Sequence, residues 1–279
     1  MERAPYSTDL TDAEWAVLAP LFPPPATTGR PRKWSFREIL NSIFYAVRGG
    51  QAWRLMPHDL LPWETAYFYH RVWRLQGFWE RLHTKLREQV RVQAGRDPTP
   101  SAAIIDSQST RTTEAGGPRA YDGGKNINGR KRHILVDTLG LVMGVVVHPA
   151  DIQDRAGAVL LFNSVWNKFP RMKHVWADAG YTGKLSKALQ DALGWNLEIV
   201  KHPWSGNLTT WAPIDTPPPP IHVPDGFVVL KRRWVVERTF AWFGKSRRMS
   251  RDFEALAQTT ENLVYEVMIR LMVRRLAKK

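Results

Sequence analysis

Apolar and polar positions recur with two different periods along this 279-residue chain, and the change falls near residue 97. Before it the spacing is helical. Thr11 to Glu14, TDAE, is a capping box that opens a short helix through Leu21, stopped by PLFPPP because proline cannot continue a helix. Ser35 to Glu38, SFRE, is a second such box. Phe36, Ile39, Leu40, Ile43, Phe44 and Val47 then form one apolar stripe up to Gly49-Gly50. After a turn through Pro57 and Pro62, WETAYFYHRVWRLQG makes a third helix, with Tyr67, Tyr69, His70, Arg71 and Arg74 on its exposed side. Gly77 ends it, and FWERLHTKLREQVRVQ makes a fourth. Two short helices, the second rich in Arg, His and Tyr, read as a helix-turn-helix-like unit with residues 63–76 as its groove-reading element. Helical hairpins that never touch DNA carry the same pattern.

RDPTP, residues 96–100, marks the expected boundary between a helical domain, 1–97, and a second domain, 98–279. Beyond it SAAIIDSQS is a short apolar strand ending at Asp106, followed by an irregular Gly-rich stretch, TRTTEAGGPRAYDGG. Arg132 to Thr138 and Leu141 to His148 form a hairpin through Leu139-Gly140. DRAGAVLLFNSVWNKF is a helix, KHVWADAGY a strand ending at Asp178, KLSKALQDAL a helix and NLEIV a further strand. This order predicts an α/β domain, a mixed sheet with helices on its faces. Residues 204–227 are Pro-rich and read as a stiff connection. Val228 to Arg251 reads as a helix at 100° per residue, and TENLVYEVMIRLMVRRLAKK as the last one.

Composition changes this picture in one respect. Forty Lys and Arg against 26 Asp and Glu give a formal charge of +14, which calls for a polyanionic partner, nucleic acid or an anionic membrane surface. No apolar run approaches the roughly 20 residues that span a bilayer, and the N-terminus lacks a signal-peptide core, so a soluble, cytoplasmic protein is expected. The absence of cysteine excludes a disulfide framework, a thiolate nucleophile and a Cys-type zinc site.

Within the cationic stretch Val228–Arg251 a single acid, Glu237, faces eight Lys and Arg. A carboxylate on a helix suited to a phosphate backbone repels its ligand unless a divalent metal ion lies between them. Arg233, one turn earlier, projects from the same face. A plain helix salt bridge between the two explains the pair equally well. Asp106 and Asp178 end two strands of one sheet, so a single fold could bring all three acids together as ligands of two Mg²⁺ ions. Read singly, each Asp is an ordinary turn or cap residue. Asp137, at the end of HILVD, is a rival acid next to a turn; Asp151 and Asp154 read as helix caps, and His133 and His148 lack spaced partners for a metal site.

IIDSQS, the Asp-x-Gly-Tyr of WADAGYTG and the Arg-x-x-x-Glu of RRWVVERTFAWFGKSRR together resemble the three catalytic blocks of bacterial insertion-sequence transposases of the DDE class, insertion sequence 5 family. GGKNINGRKRHILVDTLGL and HPADIQDRAGA resemble the family's intervening segments, and LTDAEWAVLAPLFP with GRPRKWSFREILNSIFYAVRGG its N-terminal helices. The likeness covers nearly the whole chain. It implies a ribonuclease-H-like catalytic domain in which Asp106, Asp178 and Glu237 bind divalent metal, Mg²⁺ with Mn²⁺ as a substitute and two ions per site. It also implies an N-terminal domain that recognises transposon ends. Two positions depart from the broader pattern, with Leu230 in place of Tyr and Gly244 in place of Lys. Lys245 falls one residue late, about 80° around an ideal helix from Glu237, while Arg248 returns to the Glu237 face.

The expected function is a DNA transposase that binds terminal inverted repeats, cleaves at their ends and joins the freed 3′-hydroxyl to target DNA, working as a homodimer on double-stranded DNA. A domesticated DNA-binding regulator and a nuclease of the same fold are the alternatives. The expected DNA contacts are Arg233, Arg238, Lys245, Arg248, Arg130, Lys131, Arg71, Arg74, Arg30 and Arg32. Trp204 and Trp211 of the Pro-rich connection read first as residues packed on the domain surface, with stacking on a flipped base as the alternative.

Overall fold

The computed structural model describes residues 3–24, 29, 32–200 and 232–278. The first capping box forms in full: Glu14 N–H donates to Thr11 Oγ1 and Thr11 N–H to Glu14 Oε2, opening α1, Asp12–Leu18. The second is half a box. Ser35 Oγ accepts from Glu38 N–H at the start of α2, Phe36–Gly49, but the Glu38 carboxylate turns to Asn41 and Arg3 instead. The expected stripe is the buried face of α2, and Gly50 closes the helix at φ 77°, a left-handed conformation that a side chain would resist.

Residues 50–62, with a 3₁₀ turn at Trp53–Leu55, separate α2 from α3, Trp63–Leu75. That is longer than the tight turn of a compact helix-turn-helix. Gly77, at φ 63°, then turns the chain into α4, Phe78–Gln93. On α3, Tyr67 and Arg71 are exposed, whereas His70 is buried, paired at 3.1 Å with Glu266 of the last helix. His70 therefore leaves the set of exposed candidates.

The sheet is built from β1 (Ala102–Arg111), β2 (Ala120–Asp122), β3 (Ile127–Asp137), β4 (Val142–Pro149), β5 (His174–Ala177) and β6 (Asn196–Ile199). β4 lies antiparallel to β3, β3 antiparallel to β1, and β5 and β6 continue parallel on the other side of β1; short β2 extends the line of β4 along β3. This order and these directions are those of a ribonuclease-H-like sheet, and the α/β expectation holds. β1 is longer than its apolar core suggested, because it runs beside β3 through Arg111, so part of the Gly-rich stretch is strand and Asp106 lies in mid-strand.

Successive β1 residues face opposite layers. Ala103 and Ile105 join α5 (Asp154–Val165) and α6 (Leu185–Leu193), while Ile104 packs with the α4, α7 and α8 side. α7 spans Trp234–Phe243 and α8 Ala257–Leu276. The sequence placed one helix over Val228–Arg251. Instead α7 stops at Phe243, and a 3₁₀ turn at Arg247–Met249 follows. α8 packs on α4, α1, α2 and β4, and one core runs from Leu10 through α8 to Val273. The expected boundary near residue 97 falls in the turn between α4 and β1, and this core crosses it.

Candidate active site

Strand register brings the first two acids together. Ile104 of β1 pairs with Trp176 of β5, so Asp106 and Asp178 stand two residues beyond that pair on adjacent parallel strands. β5 ends at Ala177, which leaves an open notch beside Asp106. Asp178 caps the turn Ala179–Tyr181, accepting from Gly180 N–H at 2.9 Å. A Cβ on Gly180 would stand 3.0 Å from Asp178 Oδ1 and 3.3 Å from Asp154 Oδ2, hence glycine between two carboxylates.

The third acid arrives with α7. Arg232 is left-handed at φ 74°, its guanidinium over the Trp176 ring, and Arg233 follows as the N-cap of α7. Glu237 occupies the first turn, where the helix dipole favours a negative charge. Arg233 Nη2 lies 3.7 Å from Asp106, 3.5 Å from Asp178 and 3.8 Å from Glu237. Three carboxylates from three elements thus surround one guanidinium nitrogen. Burial pushes the Asp106 carboxyl up to about 6; Ser107 N–H opposes the rise, the Asp178 charge adds to it, and Arg233 and Lys125 pull it back.

Oxygen donors without nitrogen or sulfur suit a hard divalent cation. The three acids share one focus, which fits that role, but the focus holds Arg233 Nη2, and no group of His, Asp and Glu among the described residues is already arranged around an empty metal position. A divalent metal held by Asp106, Asp178 and Glu237 together would require the Arg233 guanidinium to withdraw.

Residues 10–83 match the transposases of the IS4/5 family, and residues 97–202 and 209–274 match transposase DDE domains. The chain belongs to the IS4/5 family of DDE transposases. The transposase is 30% identical over 117 residues to the insertion element IS402 uncharacterized 16.2 kDa protein of Burkholderia cepacia, a stretch covering 38% of this chain and 76% of that protein. No solved structure matches the chain. No helix among the described residues is long and apolar enough to cross a membrane.

Behind the acids of the transposase lies a polar network that sequence patterns concealed. Ser107 donates to Asp154 Oδ1 at 2.9 Å, and Lys131 Nζ reaches Asp154 at 3.2 Å, Asp122 at 3.7 Å and the Ile152 carbonyl at 2.9 Å. Burial works to raise the Asp154 carboxyl, but the Ser107 hydroxyl and Lys131 outweigh it and hold it below the ordinary range. His133 Nδ1 meets His148 Nε2 at 2.8 Å under Gly157, where any side chain would collide with both rings. Burial and the neighbouring His148 push His133 down to about 3. Asp154 reads as a helix cap in the sequence; only the packing of α5 against the sheet reveals that it supports the residue after Asp106.

Several expected DNA contacts are internal instead. Arg130 is fully buried, donating to the carbonyls of Pro118, Glu254 and Ala255 and pairing with Asp252 at 3.3 Å. Lys131 is buried in the network just described. Arg248 is buried over Trp53, bonded to Glu254 and to the Gln51 carbonyl. Its expected return to the Glu237 face fails because α7 has already ended. All three are corrected from surface to scaffold: Arg130 and Lys131 lie on the interior strand β3 and Arg248 on the 247–255 segment that folds over it, so these buried cations are spent on carbonyls and acids. Asp137, the rival acid, is bonded to Arg91, Leu139 N–H and Leu141 N–H, a structural role.

The remaining candidates are spread out. Arg238 stacks between Trp234 and Trp242 and donates to the Leu139 carbonyl. Lys245 is exposed in a cleft with Arg48, Arg270 and Arg274, beyond the end of α7, so its ideal-helix phase relative to Glu237 does not apply. Arg71 is exposed, Arg74 half-buried, and Arg32 lies over the Phe36 ring. Arg30, Trp204, Trp211 and Leu230 lie outside the described residues.

Proposed function

We propose that this transposase binds the terminal inverted repeats of an insertion sequence, cleaves at their ends and joins the 3′-hydroxyl to target DNA, with Asp106, Asp178 and Glu237 as ligands of two Mg²⁺ ions. The convergence of three carboxylates around Arg233, on the notch where β5 ends, carries this reading. Bound divalent metal would supply activation of the attacking oxygen and charge relief at the leaving one. The chain's own part is positional. Asp106 is fixed by β1 and by Ser107 N–H, Asp178 by Gly180 N–H, and Glu237 by the first turn of α7. Arg233 is placed to exchange the acids for a DNA phosphate, which clears their focus as substrate arrives. Arg71 on α3, with Lys245 and Arg32, is assigned to DNA contact, and two copies of the chain hold the paired ends.

Donor DNA carrying the element's terminal repeats, incubated with Mg²⁺ and a target plasmid, tests the assignment. Cleaved ends and strand-transfer products are expected from wild type, and neither from Asp106→Ala, Asp178→Ala or Glu237→Ala. Each variant should bind end DNA as well as wild type or more tightly, because lost carboxylate charge also removes repulsion from phosphate. A variant that cuts near the wild-type rate removes that acid from the site. Cleavage without joining would leave a nuclease.

A further inference from the structure

A groove that none of the expected contacts includes leads away from the acids along β1. Gln108 and Thr110 share the Asp106 face of β1, and Phe240 lies one turn beyond Glu237 on α7. These residues line a cavity of about 390 Å³ that also includes Arg111 and Arg251. The same two arginines line a second, open cavity of about 550 Å³, continued by Arg119, Tyr121, Asn128 and Glu114. The two cavities therefore form one trough. The backbone holds it in shape: Asp252 N–H donates to the Arg111 carbonyl and Thr113 N–H to the Asp252 carbonyl, setting Arg251 beside the end of β1.

The charges in this trough are available. Arg111, Arg119 and Arg251 are exposed and make no salt bridge among the described residues, whereas beneath them Arg130 is buried against Asp252 and Arg132 is buried against the Met249 carbonyl. Glu114 is the one acid lining either cavity. Tyr121 is 58% exposed and supplies a ring against a sugar or base. Five residues of strand separate Asp106 from Arg111, roughly 17 Å at 3.3 to 3.4 Å per residue. With the duplex axis laid along β1, where each strand advances about 3.4 Å per phosphate, that reach is about five nucleotides.

We propose that this trough is a second DNA-binding track, in which Arg111, Arg119 and Arg251 hold the backbone of the strand whose scissile phosphate lies at the acids, about five nucleotides away. It rests on reading the protein as a DNA-cutting transposase. Among the described residues the Arg111 and Arg251 guanidinium groups make no salt bridge or hydrogen bond, and Arg119 donates only to the Thr113 carbonyl at 2.9 Å, so all three charges are left for phosphates, and continuity along β1 ties their ligand to the strand at the acids rather than to an unrelated polyanion.

The test compares full-length wild type, the triple variant Arg111→Ala/Arg119→Ala/Arg251→Ala and a control with the same charge loss, Lys173→Ala/Lys184→Ala/Lys187→Ala, all exposed positions. Binding of end DNA extending about ten nucleotides on both sides of the cleavage point is followed by fluorescence anisotropy across a salt series, without divalent metal. The trough variant should lose about 0.9 from the log–log salt slope for each contact removed, and the control should keep the wild-type slope. Trimming the DNA to about three nucleotides on both sides should abolish the difference. Equal slopes for trough variant and wild type, or equal losses in trough variant and control, overturn the proposal, as does a difference that survives trimming. Arg111→Lys/Arg119→Lys/Arg251→Lys should restore the slope, which separates lost charge from lost folding. If wild type neither binds nor cuts end DNA, the functional reading falls first; if it does both and only the trough result fails, the track alone is wrong.

Discussion

Arg233 Nη2 stands 3.5 Å from Asp178 Oδ2 and nearly as close to the other two acids, so a cation of the protein occupies the position a metal would take. Two consequences oppose each other. Replacing Arg233 with Gln should let the metal-free acids take up Mn²⁺ more readily, because no guanidinium competes for them. It should also lower cleavage of end DNA by on the order of 100-fold, the scale for losing one donor to a developing phosphate charge. Calorimetric Mn²⁺ titration without DNA, beside single-turnover cleavage, separates the effects. Unchanged Mn²⁺ affinity would show that Arg233 is no competitor.

The pH dependence of stability follows from Asp106. Its carboxyl ordinarily titrates at 3.8 and is pushed to about 6 by burial. The fold thus prefers the protonated form; that preference contributes fully below pH 3.8 and is lost as pH rises through about 6. Asp106→Asn stays neutral throughout. In EDTA it should be more stable than wild type above pH 6, by on the order of 3 kcal/mol at most, and the two should converge below pH 3.8. Urea unfolding at pH 7.5, 5 and 3.5 checks this, and a constant difference across that range would exclude Asp106 as its source.

Most strands and most helix limits were legible because periodicity and capping are local. Thr11, Ser35, Gly50 and Gly77 behave as their residue types require. What local pattern could not convey was the fate of charge. GRKRH reads as an exposed basic run, yet Arg130, Lys131 and Arg132 are buried, since β3 is covered along both edges and both faces. Burial pushes the Arg132 guanidinium down to about 10, against the opposing pull of the Asp252 charge. Asp154 was similarly opaque, because its partner Ser107 is 47 positions away and only the packing of α5 on the sheet joins them. The end of α7 at Phe243 was hidden by cationic and aromatic residues that continue at helical spacing into a 3₁₀ turn.

Arg71 is the exposed cation on α3, flanked by exposed Tyr67, Phe68 and Leu75. If that face enters the major groove, Arg71→Ala should reduce discrimination between end DNA and scrambled DNA by about 1 to 3 kcal/mol, the range for one bidentate base contact. Arg74 is half-buried in a cleft with Glu80 and Lys168, so Arg74→Ala should change that discrimination less. Competition binding at one fixed salt concentration measures both. Equal losses on specific and scrambled DNA would move Arg71 to the phosphate backbone.

The helices before residue 97 should not fold without α8. Leu82, Leu86 and Val90 of α4 and Ile39, Ile43 and Val47 of α2 share one core with Leu263, Val264, Met268 and Met272 of α8. Polar pairs bind the same surfaces: His70 meets Glu266 at 3.1 Å, and Arg270 meets Glu14 at 2.7 Å. A fragment of residues 1–97 would expose that apolar face and leave His70 and Glu14 without their partners. It should show no cooperative melting, whereas the same fragment joined by a flexible Gly/Ser linker to residues 256–278 should regain it. In the intact chain Glu266→Ala should cost roughly 1 to 3 kcal/mol, the penalty for leaving a buried polar partner, here His70, unpaired. Lys184→Ala, at an exposed position on the far α6, should cost under about 0.5 kcal/mol. Thermal melts followed by circular dichroism decide the matter: cooperative melting of the bare 1–97 fragment would show that α8 leans on a unit already stable alone, and would license testing DNA recognition on that fragment.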